Sequence, residues 1–296
     1  MWNILTKQFY RQRKDFEDSC VGRDAGLTFP EGVICSTDIA YADDGIKAHM
    51  LDIYRPEDSQ EKILPVIINV HGGGLIIGNK EFNRYFCALL CKKGFLVYSI
   101  EYRLIPDCLM YDQISDVFMA MDYIKERLAA DGGDSSHVYM AGDSGGACLI
   151  TYANAIQNST NIARAANVTP SGLRINALGL ISGMFYTSRF DKIGLFLPKY
   201  LYGRDYKKTS FAKYVNPENR ELLNSLAPVW LVTSHNDFLR RYTTDFEKAL
   251  TRAEREHELV AFPKNKKLTH AFSVFEPFLP ESSAVIDMMV EYLRKF

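Results

Sequence analysis

Gly142-Asp143-Ser144-Gly145-Gly146 constrains this 296-residue chain more than any other stretch. The five residues fit two unrelated ways of presenting a reactive serine. One sets the serine in a sharp turn between a strand and a helix, the G-x-S-x-G pattern. The other sets it in a loop of a β-barrel protease. The choice fixes fold, oxyanion donors and substrate class together, and the flanking sequence makes it.

Residues 66–70 are apolar and rich in β-branched side chains, and they end in His71-Gly72-Gly73-Gly74. That predicts a buried strand followed by a tight loop. Residues 95–100 form a second such run, with Pro106 in the loop beyond. Ile114, Val117, Phe118, Met121, Ile124 and Leu128 keep helical spacing, and Gly132-Gly133 ends that helix. Residues 138–141 read as the strand that delivers Ser144, and 147–156, free of Pro and Gly, as the helix after it. Further strands are predicted at 178–181, 229–233 and 259–262, and helices at 243–256 and 283–295.

Strands alternating with helices predict an α/β fold whose mostly parallel sheet carries helices on both faces. Such sheets bind ligands outside the carboxyl ends of their strands. His71, Ser144 and Asp237 each follow a predicted strand, so one crevice can gather them. Two stretches fit this sheet poorly. Residues 1–45 begin with a mixed-charge, helical segment. Residues 184–221 hold Phe185, Tyr186, Phe190, Phe196, Tyr200 and Tyr202 among polar and basic neighbours, too long for an ordinary connection and too aromatic for a disordered linker. Both read as pieces of a helical cap; the other reading is peripheral helices packed on the core. The division expected is 1–45 as the N-terminal part of the cap, 46–183 as the first part of the core, 184–221 as the cap insertion and 222–296 as the second part of the core.

Composition narrows the function classes. Lys+Arg 35 against Asp+Glu 36 leaves a net charge of -1, which argues against a nucleic-acid partner. Cys20, Cys35, Cys87, Cys91, Cys108 and Cys148 form no C-x-x-C pair, so no zinc site is expected, and reduced, mostly buried thiols in a cytoplasmic protein are. The N-terminus lacks the apolar core of a signal peptide, and no window reaches the ~20 apolar residues of a membrane span.

Serine is a weak nucleophile and needs a base, a carboxylate that orients the base, and donors for the oxyanion. Gly142 and Gly146 flank Ser144 where side chains would collide with strand and helix, and the Gly145 N–H can donate to an oxyanion. His71-Gly72-Gly73-Gly74 supplies a loop whose N–H groups can turn toward a substrate carbonyl; no Lys-Ser/Thr follows it as in a P-loop. His71 heads that loop and reads as its anchor. His137, beside the central strand, His49, in an N-terminal β segment, and His257, on a charged helix, read as structural or exposed. His235, near Asp237 at a strand end, stays a lesser candidate for the base. His270 follows the last strand, in the chain order serine, acid, histidine. Asp237 is the acid expected, with Asp245 second to it inside a predicted helix. The barrel-protease alternative fails: its order is histidine, aspartate, serine, and Ala147 stands where it carries proline.

The chain thus resembles the hormone-sensitive-lipase-like family of α/β-hydrolase carboxylesterases. The resemblance rests on His71-Gly72-Gly73-Gly74, Tyr102-Arg103-Leu104-Ile105-Pro106-Asp107, Gly142-Asp143-Ser144-Gly145-Gly146, Asp237-Phe238-Leu239-Arg240 and His270-Ala271-Phe272, in order between residues 46 and 275. It implies Ser144 as nucleophile, Asp237 as acid, His270 as base, and Gly73, Gly74 and Gly145 as oxyanion donors. It also implies a cap made of the N-terminal segment and the insertion before Asp237. The family usually has alanine where Gly145 stands, glycine where Ala147 stands, glycine where Ala271 stands, and prolines after Asp107. A backbone donor survives the first two changes.

The function expected is hydrolysis of short-chain acyl or acetyl esters through an acyl-enzyme on Ser144, with no cofactor and no metal. The partner expected is a small-molecule ester, without nucleic acid or an integral membrane segment; a homodimer is left open. Two alternatives stand beside this: amide deacetylation by the same residues, and a non-catalytic small-molecule receptor, which would be expected to lack one of the three residues present here.

Overall fold

The structure is a computed structural model and describes residues 4–59 and 62–296. Among them, eight strands form one sheet: β1 (Val33–Ala40), β2 (Met50–Pro56), β3 (Leu64–Val70), β4 (Leu96–Ile100), β5 (Gly133–Asp143), β6 (Leu178–Ile181), β7 (Val229–Ser234) and β8 (His257–Phe262). Their spatial order is β1-β2-β4-β3-β5-β6-β7-β8. β3 to β8 run parallel, while β1 with β2 and β2 with β4 pair antiparallel. The helices are α1 (Ile4–Asp24), α2 (Arg84–Lys92), α3 (Met110–Arg127), α4 (Ser144–Asn158), α5 (Thr160–Ala166), α6 (Lys192–Phe196), α7 (Pro198–Leu201), α8 (Arg220–Asn224), α9 (Arg240–Arg252), α10 (Phe272–Phe275) and α11 (Pro280–Leu293).

The period of two along the strands sorts the core into two layers. Val66, Ile68 and Val70 of β3 turn to the face covered by α3, α4 and α9, where Ile114, Leu149 and Phe246 are buried. Ile67 and Val97 turn to the other face, under Phe86 of α2 and Met289 of α11. Each fully buried Val, Leu, Ile or Phe stabilises the fold by ~1.5–3 kcal/mol, so both layers must be covered.

The parallel strands match the runs predicted for them, and the sequence reading needs correction at the edges. Residues 33–40 belong to the sheet as edge strand β1, so the expected boundary at 45 does not separate cap from core; of that stretch, α1 lies outside the sheet. β1 escaped the pattern because only alternate positions are covered and a register shift falls between Ser36 and Ile39, with Asp38 in the left-handed region. His257 opens β8 and is not helical, because α9 ends at Arg252. The helix after the 95–100 run ends at Arg127, and Gly133 already belongs to β5.

All six cysteines are free; Cys87, Cys91 and Cys148 are buried and the other three half-buried. No helix among the described residues is long and apolar enough to cross a membrane.

Candidate active site

β5 ends at Asp143 and α4 begins at Ser144, which holds φ +49°. A non-glycine residue there is strained, and the surroundings must fix it. They do so by close packing. A Cβ on Gly142 would lie 3.0 Å from the Val70 carbonyl oxygen, and one on Gly146 would run into the Val70 and His71 carbonyls. The Ser144 carbonyl accepts from Met184 N–H at 2.9 Å. The hydroxyl is thereby aimed out of the sheet, over the carboxyl ends of the strands.

Two loops bring its partners. His270, between β8 and α10, has Nε2 2.9 Å from Ser144 Oγ. Its Nδ1 lies 2.7 Å from Asp237 Oδ1. Asp237 follows β7 and is buried. It also accepts from Thr233 Oγ1 at 2.9 Å and from Leu239 N–H at 2.8 Å. Burial pushes its carboxyl up, but the hydrogen bond and charge of His270, with the Leu239 N–H, outweigh this and hold it below the usual carboxylate range. The three residues form one line in which serine can give its proton to histidine while aspartate holds the ring.

The loop after β3 passes through three successive left-handed residues, Gly73 (φ +105°), Gly74 (+61°) and Leu75 (+69°). A Cβ on Gly73 would run into the Ile77 carbonyl, so only glycine fits there. Among the described residues, the N–H groups of Gly73 and Gly74 donate to no backbone carbonyl or side chain. The loop closes tightly on residue 145: a Cβ on Gly145 would sit 2.8 Å from Leu75 N and 2.9 Å from Gly74 N. Glycine in place of the family's usual alanine is therefore matched to this loop position.

Several positioning residues were not read from the sequence. Asp143, the second letter of the pentapeptide, accepts from Gly72 N–H at 3.0 Å and from Asn83 Nδ2 at 2.9 Å, tying the glycine loop to the serine turn. Glu101 accepts from His71 Nε2 at 2.8 Å and from Lys80 N–H at 2.9 Å. Tyr102 stacks on His71 at 4.3 Å and donates to its carbonyl at 2.8 Å. Ser182, the residue after β6, accepts from Ala271 N–H at 3.1 Å and adds a hydrogen bond to Asp237. The rule that places ligand groups past strand ends could have found Ser182 and Glu101, which directly follow β6 and β4; Asp143 and Tyr102 lie inside motifs singled out above, with no role given to them there.

The remaining candidates lie apart from the line. His235 is exposed and paired with Arg240 at 3.2 Å. Asp245 is engaged by Arg189 at 2.8 Å. His49 is buried between Asp44 and Asp116, and His137 meets Asp134 on the surface. Among the described residues no group of three His, Cys, Asp or Glu could hold a metal ion.

α1 and the segment 184–221 meet: Phe9 packs edge-on against Tyr200 at 5.1 Å. Arg13 of α1 donates to the Ile76 carbonyl at 2.8 Å and pairs with Asp107 at 2.7 Å, so the helix is fastened to the glycine loop itself. Phe185 stacks on Phe246 of α9 at 4.2 Å.

A family model described as alpha/beta hydrolase fold matches residues 67–273, more than half of the chain and the whole span from the glycine loop to His270. The chain belongs to the α/β-hydrolase family, in its hormone-sensitive-lipase-like branch. Esterase B of Lactobacillus rhamnosis has the same fold, with a TM-score of 0.90 over 98% of this chain and 94% of that one, at 22% identity. A bacterial heroin esterase superposes with a TM-score of 0.72 over 97% and 91%, at 23% identity. Among curated proteins, a probable isoprenylcysteine alpha-carbonyl methylesterase of Oryza sativa subsp. japonica is 29% identical over 184 residues, 58% of this chain and 44% of that protein. Tuliposide A-converting enzyme 2 of Tulipa gesneriana is 31% identical over 113 residues, 34% of this chain and 30% of that protein. The matches thus span less than half the length of these two relatives.

Proposed function

We propose that this α/β-hydrolase is a serine carboxylesterase acting on short-chain acyl or acetyl esters. The observation that carries the reading is the unbroken line from Ser144 Oγ through His270 to Asp237, with contacts of 2.9 and 2.7 Å. In the first step Ser144 Oγ attacks the ester carbonyl while His270 Nε2 takes its proton. The oxyanion is met by N–H groups of Gly73, Gly74 and Gly145. His270 then protonates the leaving alkoxide, and the alcohol departs from an acyl-enzyme on Ser144. Water, deprotonated by His270, attacks the acyl carbon; the acid leaves and the serine regains its proton. The names of the relatives, which are esterases and a methylesterase, support ester over amide.

In the same reading α1 and 184–221 form a cap over the crevice and bound the acyl chain that fits. Ser144→Ala is expected to lower p-nitrophenyl acetate turnover by at least ~10⁴-fold. Retention of full turnover, or failure of Ser144 to take a fluorophosphonate label, defeats the proposal. A series of p-nitrophenyl esters tests the substrate class: rates are expected to fall from acetate and butyrate to long chains, and a long-chain optimum rejects it.

A further inference from the structure

The segment 189–201 does something that a simple cover does not require. α6 and α7 run nearly end to end, joined at Leu197. Ile193, Leu197 and Leu201 turn inward and pack on the core. At 100° per residue this sets Leu195 on the opposite side, with Lys192, Phe196 and Lys199 around it. Leu195 is 56% exposed and Phe196 52%, and Phe190, just before the helix, is 96% exposed. Lys192 and Lys199 are exposed beside them. Phe190 is not a stray tip on a loose loop. Its neighbours are fastened to the body: Asp191 accepts from Tyr242 hydroxyl at 2.6 Å, and Arg189 lies 3.5 Å above the Tyr186 ring.

Charge adds a second, independent observation. Between residues 189 and 213 seven lysines and arginines stand against two aspartates, while the whole chain carries -1. The remainder of the molecule is therefore net acidic, while the segment that bears the exposed aromatic and aliphatic side chains is net basic. A short helix with apolar groups outward between lysines has the composition of an interfacial element that lies on a bilayer. Lysines near a negatively charged leaflet are attracted to it, and apolar side chains between them insert at the headgroup boundary. A second copy of the chain fits this surface less well, because a two-fold contact would set the basic patch against itself.

We propose that the face formed by Phe190, Leu195, Phe196, Lys192 and Lys199 docks the protein on anionic lipid surfaces. This docking is independent of Ser144 and of the ester chemistry. The test is flotation of the full chain with vesicles of phosphatidylcholine alone and with about 30 mol% phosphatidylserine added. Binding is expected with the anionic vesicles, weakened by high salt, and unchanged in Ser144→Ala. Lys192→Glu with Lys199→Glu should weaken it by at least tenfold, since each lysine contributes about fivefold. Phe190→Ser with Leu195→Ser should do so too. Both variants should keep the wild-type circular dichroism spectrum and urea midpoint, which report that they fold. Absence of the wild-type protein from the floated anionic fraction overturns the proposal. So does sedimentation showing a dimer that either variant dissociates.

Discussion

His270 and His71 both make short bonds to a carboxylate, at 2.7 and 2.8 Å, yet they are built for different ends. The second ring nitrogen decides. On His270 it faces the Ser144 hydroxyl, which can donate, so that nitrogen can be bare and accept a proton. On His71 it faces the Gly72 carbonyl at 2.8 Å. Glutamate and carbonyl both only accept, so this pairing favours hydrogens on both nitrogens of His71, the imidazolium form. Burial disfavours that charge, but Glu101, the Gly72 carbonyl and Asp143 more than offset the penalty and raise its pKa above the ordinary histidine value. A histidine–carboxylate bond thus does not mark a base; what lies beyond the ring does.

The sharpest way to break this contrast is to remove each carboxylate's charge. Asp237→Asn is expected to lower kcat by ~10⁴-fold, because an amide favours the wrong ring tautomer. Glu101→Gln should leave kcat within about tenfold but lower stability by ~2–3 kcal/mol, by leaving a buried cation half-paired. Steady-state rates and urea titrations read the two effects. Equal losses of kcat in two folded variants would erase the distinction.

The next effect concerns the glycine loop that His71 anchors. Gly145→Ala places a methyl group against Gly74 N and Leu75 N and must push the loop back. The expected cost is about 10²-fold in kcat, the loss typical of one misplaced oxyanion donor, with KM changing less. An unchanged kcat would mean that the loop yields without disturbing its donors.

These positions also show what could be read beforehand. The line of Ser144, Asp237 and His270 was legible because each follows a run that reads as a strand, and the chemistry proposed demands those residue types. The parallel strands were legible because continuous apolar runs leave no other reading. β2 was legible only as a β segment near His49, without bounds, because Asp52 and Arg55 interrupt it; Asp52 is buried against Lys80 at 2.9 Å, a partner 28 positions away that local pattern cannot show. The second layer of the site was hidden for the same reason. Gly72 and Asp143 are 71 residues apart, and Ser182 and Ala271 are 89.

The two pairs also titrate in opposite directions. His71 has a raised pKa in the folded state, so its contribution is complete below the unfolded value of ~6.5 and is lost as pH rises through the folded value. Asp237 has a depressed pKa, so its contribution is complete above the unfolded value of ~3.9 and is lost as pH falls through the folded one. Stability should therefore decline on both sides of a mildly acidic optimum. Denaturant titrations of Glu101→Gln should show the alkaline decline flattened and the acid decline intact. An unchanged alkaline limb would assign it to another group.

The smallest effect separates the residues that follow the two histidines. Gly72 must be glycine for space, since a side chain there would meet Asp143. Ala271 has space but an unfavourable backbone, φ +48°, held where the Ser182 hydroxyl accepts from its N–H. Ala271→Gly relieves ~1–2 kcal/mol of left-handed strain. It also adds ~0.4–1 kcal/mol of unfolded-chain freedom and uncovers a buried methyl group worth ~0.8 kcal/mol. The terms nearly cancel, so the substitution should shift stability by less than about 0.5 kcal/mol and leave kcat unchanged. Ala141→Gly makes the same chemical change at a fully buried strand position outside the left-handed region, and should cost ~1–2 kcal/mol because no strain is relieved there. Equal losses at both sites would mean that residue 271 carries no strain and that Ser182, not the backbone preference, sets the turn that presents His270.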